Sequence, residues 1–310
     1  MDAFHPQDLC FVSHAHVSTT VAHHKVLATD ATLRLFRRHE PSQQVRGLVC
    51  PYNRPFSLGQ LSIELFPAGH ILGSAQIRVT KDDLRLVYTG DFSFQRKLTC
   101  EAIEVKSCDE LIIPAHFAHP RYEFPAIDDG YALLTSEVRR ALDDKRVPVV
   151  FTATVGTAQE VAKRLAREGF NLRLHRSIYE KNKIYVQLGV SLESCKCFRG
   201  TPRPDEVIIW PRNLRSSPAI KSLRRARTIL LSGHAVVPGY ARQQRVDIAL
   251  PITDSASYSE TLDYIERVAP RKIYVAHGYA PSFTAELRKR GLDAESLTNE
   301  QIGFDFGQAH

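Results

Sequence analysis

Apolar and polar residues alternate with a period of two over residues 60–66 and again over 75–80, which predicts two strands that each turn one face into a core. Pro67-Ala68-Gly69-His70 breaks the pattern between them, and Lys81-Asp82-Asp83 predicts a hairpin turn into a third strand over 84–89. Gly90-Asp91-Phe92 ends that strand with an acid at its tip. Nearer the start, the apolar run 9–12 and the short stretch 26–29 also predict strands, and a helix opens at Asp30-Ala31-Thr32 with Thr29 or Asp30 as its cap. Antiparallel strands with His or Asp at their ends describe a layered α/β sandwich whose site runs along one edge.

From Ala126 the pattern changes to alternating helix and strand. Helices are predicted over 131–141 and over 158–168, the second opened by Gly156-Thr157, with strands over 147–151, 172–174, 207–210 and 228–231. The last two are apolar throughout, as buried parallel strands are. This is a Rossmann-like layer without G-x-G-x-x-G, so no dinucleotide is assigned to it. Short elements return afterwards: a strand at 248–250, a helix over 259–267, a strand over 272–276 ending in His277-Gly278, and a helix over 281–290 closing toward Gly291.

Composition narrows the class. At 310 residues and 43% hydrophobic content, the chain can bury one large α/β core or two ordinary ones. No stretch approaches the roughly 18 uninterrupted apolar residues of a membrane span, and the first residues lack a signal-peptide pattern, so a cytoplasmic protein is expected. The six cysteines are scattered, which predicts reduced thiols. Cys195-Lys196-Cys197 is too tight for the usual zinc pair and reads as loop. The net charge is +7, and Asp and Glu are absent from Pro211 to Val246. That stretch holds Arg212, Arg215, Lys221, Arg224, Arg225 and Arg227, for which a nucleic-acid phosphate backbone is the natural complement.

Four strand tips carry the candidate chemistry: His14 and His16, His70, Asp91, and His277. A lone H-x-H pair in a chain with 13 histidines says little. Imidazoles joined by a carboxylate are what a zinc hydrolase needs, since zinc takes N and O donors and lowers the pKa of bound water to about 7.

Ser13-His14-Ala15-His16, the segment from Pro67 to Ala75, Tyr88-Thr89-Gly90-Asp91, Gly156-Thr157-Ala158-Gln159 and Ala276-His277-Gly278 together resemble the metallo-β-lactamase superfamily, and within it the β-CASP nucleases. Val275 to Tyr279 and Gly291 to Ala294 look most like the bacterial ligase-associated DNA exonuclease branch. The resemblance implies an αββα sandwich, residues 1–125 and 237–310, interrupted by a Rossmann-like β-CASP cap at 126–236 that closes over nucleic acid. It also implies a first zinc on His14, His16 and His70, with Asp91 bridging to a second ion helped by His277. Only about eight residues precede Leu9, fewer than the two leading strands such proteins have. The expectation is therefore a start codon set late or a sheet short of an edge.

The family's pattern is broken at four places. Ser18 and Thr19 stand where H-x-H-x-D-H has its last two ligands, Pro114 replaces an acidic residue, and Ser255 replaces the histidine expected to contact phosphate and protonate the leaving group. One intact zinc site and a damaged second half predict a nucleic-acid-binding protein for DNA repair or RNA processing, with two-metal phosphodiesterase chemistry impaired or lost. The alternatives are an active single-zinc or refilled-site phosphodiesterase, with His116, His119, His23 and His24 as spare donors, and a non-catalytic subunit beside a ligase, helicase or active nuclease. His234 is expected as a contact between cap and core.

Overall fold

The computed structural model describes residues 1–3, 5–16, 23–36, 46–193 and 195–297. Ser18 and Thr19 lie outside the described residues. The chain opens with β1 (Leu9–Phe11), β2 (Lys25–Ala28), α1 (Asp30–Phe36) and β3 (Arg46–Val49). Then come β4 (Phe56–Leu58), β5 (Leu61–Pro67), β6 (Ala75–Lys81), β7 (Leu84–Tyr88) and β8 (Glu110–Pro114). The middle holds α2 (Ile127–Asp143), β9 (Val147–Thr152), α3 (Thr157–Arg167), β10 (Asn171–Leu174), α4 (Arg176–Gln187) and β11 (Lys196–Cys197). It continues with β12 (Glu206–Pro211), α5 (Pro218–Lys221), β13 (Ala226–Leu231), α6 (Tyr240–Gln244) and β14 (Ile248–Leu250). α7 (Tyr258–Val268), β15 (Lys272–Ala276), α8 (Ala280–Lys289) and β16 (Ala294–Leu297) complete it.

Period-two patterning sorts the strand residues into two cores. Ile63, Leu65, Ile77, Val79, Leu86 and Ile112 turn toward Phe11 and Leu27 of the small sheet. The alternate residues Phe66, Val87, Leu111, Ile113, Ile273 and Val275 turn toward Tyr264 and Ile265 of α7 and Phe283 and Leu287 of α8. On the far side of the small sheet, Cys10, Val12, Val26 and Ala28 pack on Leu33 and Phe36 of α1. The layers therefore run helix, seven-stranded sheet, three-stranded sheet, helix, which is the αββα sandwich expected. Thr29 caps α1, its hydroxyl accepting from the Thr32 N–H at 3.1 Å. The large sheet has the order β16-β15-β8-β7-β6-β5-β4. It is antiparallel from β4 to β7, as the hairpin at Lys81–Asp83 requires, and parallel from β7 to β16.

The six-stranded sheet, β11-β10-β12-β9-β13-β14, is parallel throughout. Helices α2, α3 and α4 cover one face, and α5 and α6 help cover the other. Its strands are apolar on both sides because both faces are buried. Two sequence expectations change here. β14 pairs with β13, so this layer extends through Leu250 and does not end at 236. Lys196–Cys197 forms a short edge strand on β10 instead of a loop. All six cysteines are free, and no helix among the described residues is long and apolar enough to cross a membrane.

One buried network ties the two layers together. The Asp254 carboxylate, from the segment after β14, accepts from the Thr157 N–H at 2.9 Å and the Thr157 hydroxyl at 2.5 Å, capping α3. Lys97 donates to the Gly69 carbonyl at 2.8 Å, and Glu160 on α3 accepts from Leu98 N–H and the Thr99 hydroxyl. Burial raises the Asp254 pKa, against the opposing pull of Lys97 and the Thr157 hydrogen bonds. Gly156 makes this closeness possible. It holds φ +81°, and a Cβ there would stand 2.2 Å from Ile71 Cγ2 and 2.8 Å from Asp254 Oδ2. Gly156→Ala is therefore expected to cost roughly 1–3 kcal/mol, read from the urea midpoint against wild type.

Candidate metal centre and cleft

His14 and His16 follow β1, His70 lies in the turn between β5 and β6, and one ring nitrogen from each comes within 4.8 Å of the other two. The outer nitrogen of each ring has a partner that fixes its tautomer. His16 Nε2 lies 2.9 Å from the Val155 carbonyl and His70 Nδ1 lies 3.0 Å from the Asp254 carbonyl. A carbonyl only accepts, so both of those nitrogens carry hydrogens. The inner nitrogens, His16 Nδ1 and His70 Nε2, are then lone pairs facing each other at 3.1 Å. His14 follows the same logic through one more link. Its Nδ1 lies 2.8 Å from Ser13 Oγ, which donates to Asp2 Oδ2 at 2.5 Å and so accepts from His14, leaving His14 Nε2 as a lone pair 3.8 Å from Asp91 Oδ2.

Three lone pairs and a carboxylate oxygen thus converge with no hydrogen of their own to share. Such an arrangement needs a proton or a cation, and the protonated form is disfavoured. Burial pushes His70 well below its ordinary value. His16 is open to the cleft at one edge, yet desolvation by the surrounding protein and the neighbouring His14 push it down to about 4. Two nitrogens each about 2.0–2.1 Å from one tetrahedral ion stand roughly 3.3 Å apart, close to the 3.1 Å found between His16 and His70. The residues present fit a metal ion.

Asp91 connects this triad to the rest of the expected set. Burial alone would raise its pKa, but the hydrogen bond from His116 holds it below the usual carboxylate range. His116 Nε2 stands 3.2 Å from Asp91 Oδ1, and its ring stacks on His277 at 5.6 Å with planes 4° apart. His277 reaches that position through a left-handed backbone, φ 58°, a conformation that a non-glycine residue holds only when its surroundings impose it. His277 is therefore beside Asp91's partner and outside the compact triad. Of the spare histidines, only His116 joins the site. His119 packs on Tyr122 and Tyr279, the backbone of His24 bonds Gln7, and buried His23 has no partner for Nδ1 among the described residues. Pro114 ends β8 opposite Ala276, and Ser255 lines the cleft.

A cavity of about 1080 Å³ opens over His16, His70 and Asp91. Its far wall is the C-terminal edge of the six-stranded sheet, where open parallel sheets bind ligands: Thr152 to Val155 after β9, Arg212 and Arg215 after β12, Ser232 to His234 after β13, and Ile252 to Ser255 after β14. The basic run does not form one surface. Arg212 and Arg215 line the cavity, and Arg215 is steadied by Gln244 at 3.0 Å. Arg225 and Arg227 belong to the opposite edge, where Arg225 donates to the Asp144 carbonyl and Arg227 pairs with Glu137 and Asp247. Lys221 and Arg224 do not line the cavity. His234 does bridge the layers, packing on Phe117 at 5.1 Å and Tyr122 at 5.6 Å.

Sequence reasoning missed Asp2, the Val155 carbonyl and the network of Lys97, Asp254 and Glu160. Backbone acceptors leave no composition signal. Glu160 reads in the sequence as an ordinary acid in the first turn of Thr157–Arg167, so its burial left no signal either.

No protein-family model matches the chain. Several curated proteins are similar to it, three of which follow. A probable DNA ligase of Opitutus terrae is 30% identical over 299 residues, 96% of this chain and 29% of that protein. An RNase J-like protein of Methanocaldococcus jannaschii is 28% identical over 103 residues, 33% of this chain and 24% of its own length. A transcription termination factor FttA of Lokiarchaeum is 30% identical over 105 residues, 33% of this chain and 16% of its own. The chain thus spans less than a third of the length of these relatives.

Two outcomes follow from the tautomer argument. Asp2→Ala or Ser13→Ala is expected to weaken metal affinity about 10- to 100-fold, as loss of a ligand's outer partner does, measured by chelator competition. For the metal-free protein, unfolded histidine takes up a proton near pH 6.5, whereas folded His16 resists until about 4 and His70 also resists. The unfolded state then binds more protons in that window, so stability falls as pH drops from about 6.5 toward 4. Melting temperatures across that range should show the loss, and His70→Asn should shrink it.

Proposed function

We propose that this chain is a nucleic-acid-binding metalloprotein of the metallo-β-lactamase superfamily, a divergent β-CASP nuclease homologue that holds one zinc on His14, His16 and His70. The carrying observation is the set of lone pairs converging on one point of a cleft whose opposite wall presents Arg212 and Arg215. The relatives' names, a ligase, an RNase J-like protein and a transcription termination factor, support nucleic acid as the partner. A ligase partner belongs to the same proposal, because nearly the whole chain aligns with part of a protein named probable DNA ligase. The chain's β9–β14 layer acts here as the cap, residues 126–250.

Zinc, when bound, supplies a Lewis acid and a bound water of lowered pKa. The chain's own residues supply the rest. Arg212 and Arg215 draw a phosphate toward the triad, and ionised Asp91 faces it from the core. Ser255 occupies the place where a proton donor is expected, and a hydroxyl there does not do an imidazole's work at neutral pH. Loss of a general acid costs about 10²- to 10⁴-fold, so phosphodiester hydrolysis is weak.

A second reading, an active phosphodiesterase with a refilled site, is favoured by the contact of His116 with Asp91 at 3.2 Å. Elemental analysis and a nuclease assay on one metal-replete preparation separate the two. The expected result is one zinc per chain, absent from His70→Ala, with only weak zinc- or manganese-dependent degradation that Ser255→His increases. Two ions per chain with robust degradation would establish the refilled site instead.

A further inference from the structure

The cleft carries a feature that neither the triad nor the arginines use. Phe117, His234 and Tyr240 all line the cavity, His234 exposed and the other two half-buried. The His234 ring lies 5.1 Å from Phe117 at 62° and 6.0 Å from Tyr240 at 39°. Phe117 follows β8 in the core, whereas His234 and Tyr240 follow β13 in the cap, so this aromatic wall spans the seam between the layers. Gly233 permits that closeness, since a Cβ there would stand 2.6 Å from the Phe117 ring.

The rings are fixed from behind. Tyr122 packs 5.1 Å from Phe117, and its hydroxyl lies 3.3 Å from His234 Nδ1 and 3.0 Å from the Tyr279 hydroxyl. The Tyr240 hydroxyl lies 3.3 Å from Ser232 Oγ. Little freedom remains to be lost when a flat ligand arrives. The neighbouring charge is cationic, because Arg212 lies close enough to bear on both His16 and His234.

We propose that Phe117, His234 and Tyr240 form a nucleobase-stacking subsite that takes an unpaired base while Arg212 and Arg215 hold its phosphate. The inference rests on the nucleic-acid reading above and narrows it to a single strand or a frayed end. Bases inside a duplex are already stacked on both faces, so an aromatic wall reaches a base only where pairing has opened. Stacking of this kind tolerates any base, since each has a π face. The cavity, about 1080 Å³, is just above the ligand-pocket range of roughly 300–1,000 Å³ and has room for nucleotides.

The test uses the full chain at low salt with short oligonucleotides carrying 2-aminopurine, whose fluorescence is quenched when it stacks. Deoxy and ribo versions share the bases and differ at the 2′-hydroxyl, so running both identifies which nucleic acid is preferred. Wild type should quench the single strand and bind it more tightly than the blunt duplex. His234→Ala and Tyr240→Ala should lose the quench and about 5- to 150-fold in affinity, whereas Tyr240→Phe, which keeps the ring, should retain both. Arg212→Ala should weaken binding and flatten its salt dependence while leaving the quench at saturation. Circular dichroism and metal content show that each variant is folded. Equal binding of single strand and duplex without quenching, or wild-type quenching by folded His234→Ala and Tyr240→Ala, overturns the subsite and leaves nucleic-acid binding intact. No binding of any oligonucleotide at low salt overturns both.

Discussion

Two backbone carbonyls set the character of the site. Val155 and Asp254 each take the outer nitrogen of an imidazole, which obliges His16 and His70 to present lone pairs to each other at 3.1 Å. Unlike a surface histidine pair, these rings cannot relieve the opposition by changing tautomer without leaving a buried carbonyl unmet. The same obligation reaches His14 through Ser13 and Asp2. A cation at the centre satisfies all three together.

Both carbonyls come from the segments that follow β9 and β14, strands of the six-stranded sheet, whereas the imidazoles come from the sandwich. The layer that forms the far wall of the cleft therefore also prepares the metal ligands. This coupling explains why the seam is so densely bonded: Asp254 caps α3 with its carboxylate while its own carbonyl holds His70. A displacement of the six-stranded layer would loosen the helix cap and the imidazole at the same time.

The site is uneven. Its triad half is supported at every outer atom, whereas the half around Asp91 rests on His116 and a strained His277. The cleft reflects the same imbalance, with Ser255 on its wall where a proton donor is expected and an aromatic wall beside it.

The sequence by itself determined the layers and the triad. Period-two patterning in 60–66, 75–80 and 84–89 fixed which strand face meets which core, because a shift of one residue would turn each side chain toward the opposite core. His14, His16 and His70 were legible because several strand tips carrying His or Asp occur together with the motif segments around them. Tertiary structure alone decided the rest. It placed β14 in the six-stranded sheet, split Arg212 and Arg215 from Arg225 and Arg227, and chose His116 over His23, His24 and His119 as the neighbour of Asp91. It also supplied the carbonyls that fix the tautomers. Those outcomes depend on which strand edge a residue ends on and on backbone groups that every residue carries, and neither is written in side-chain identity.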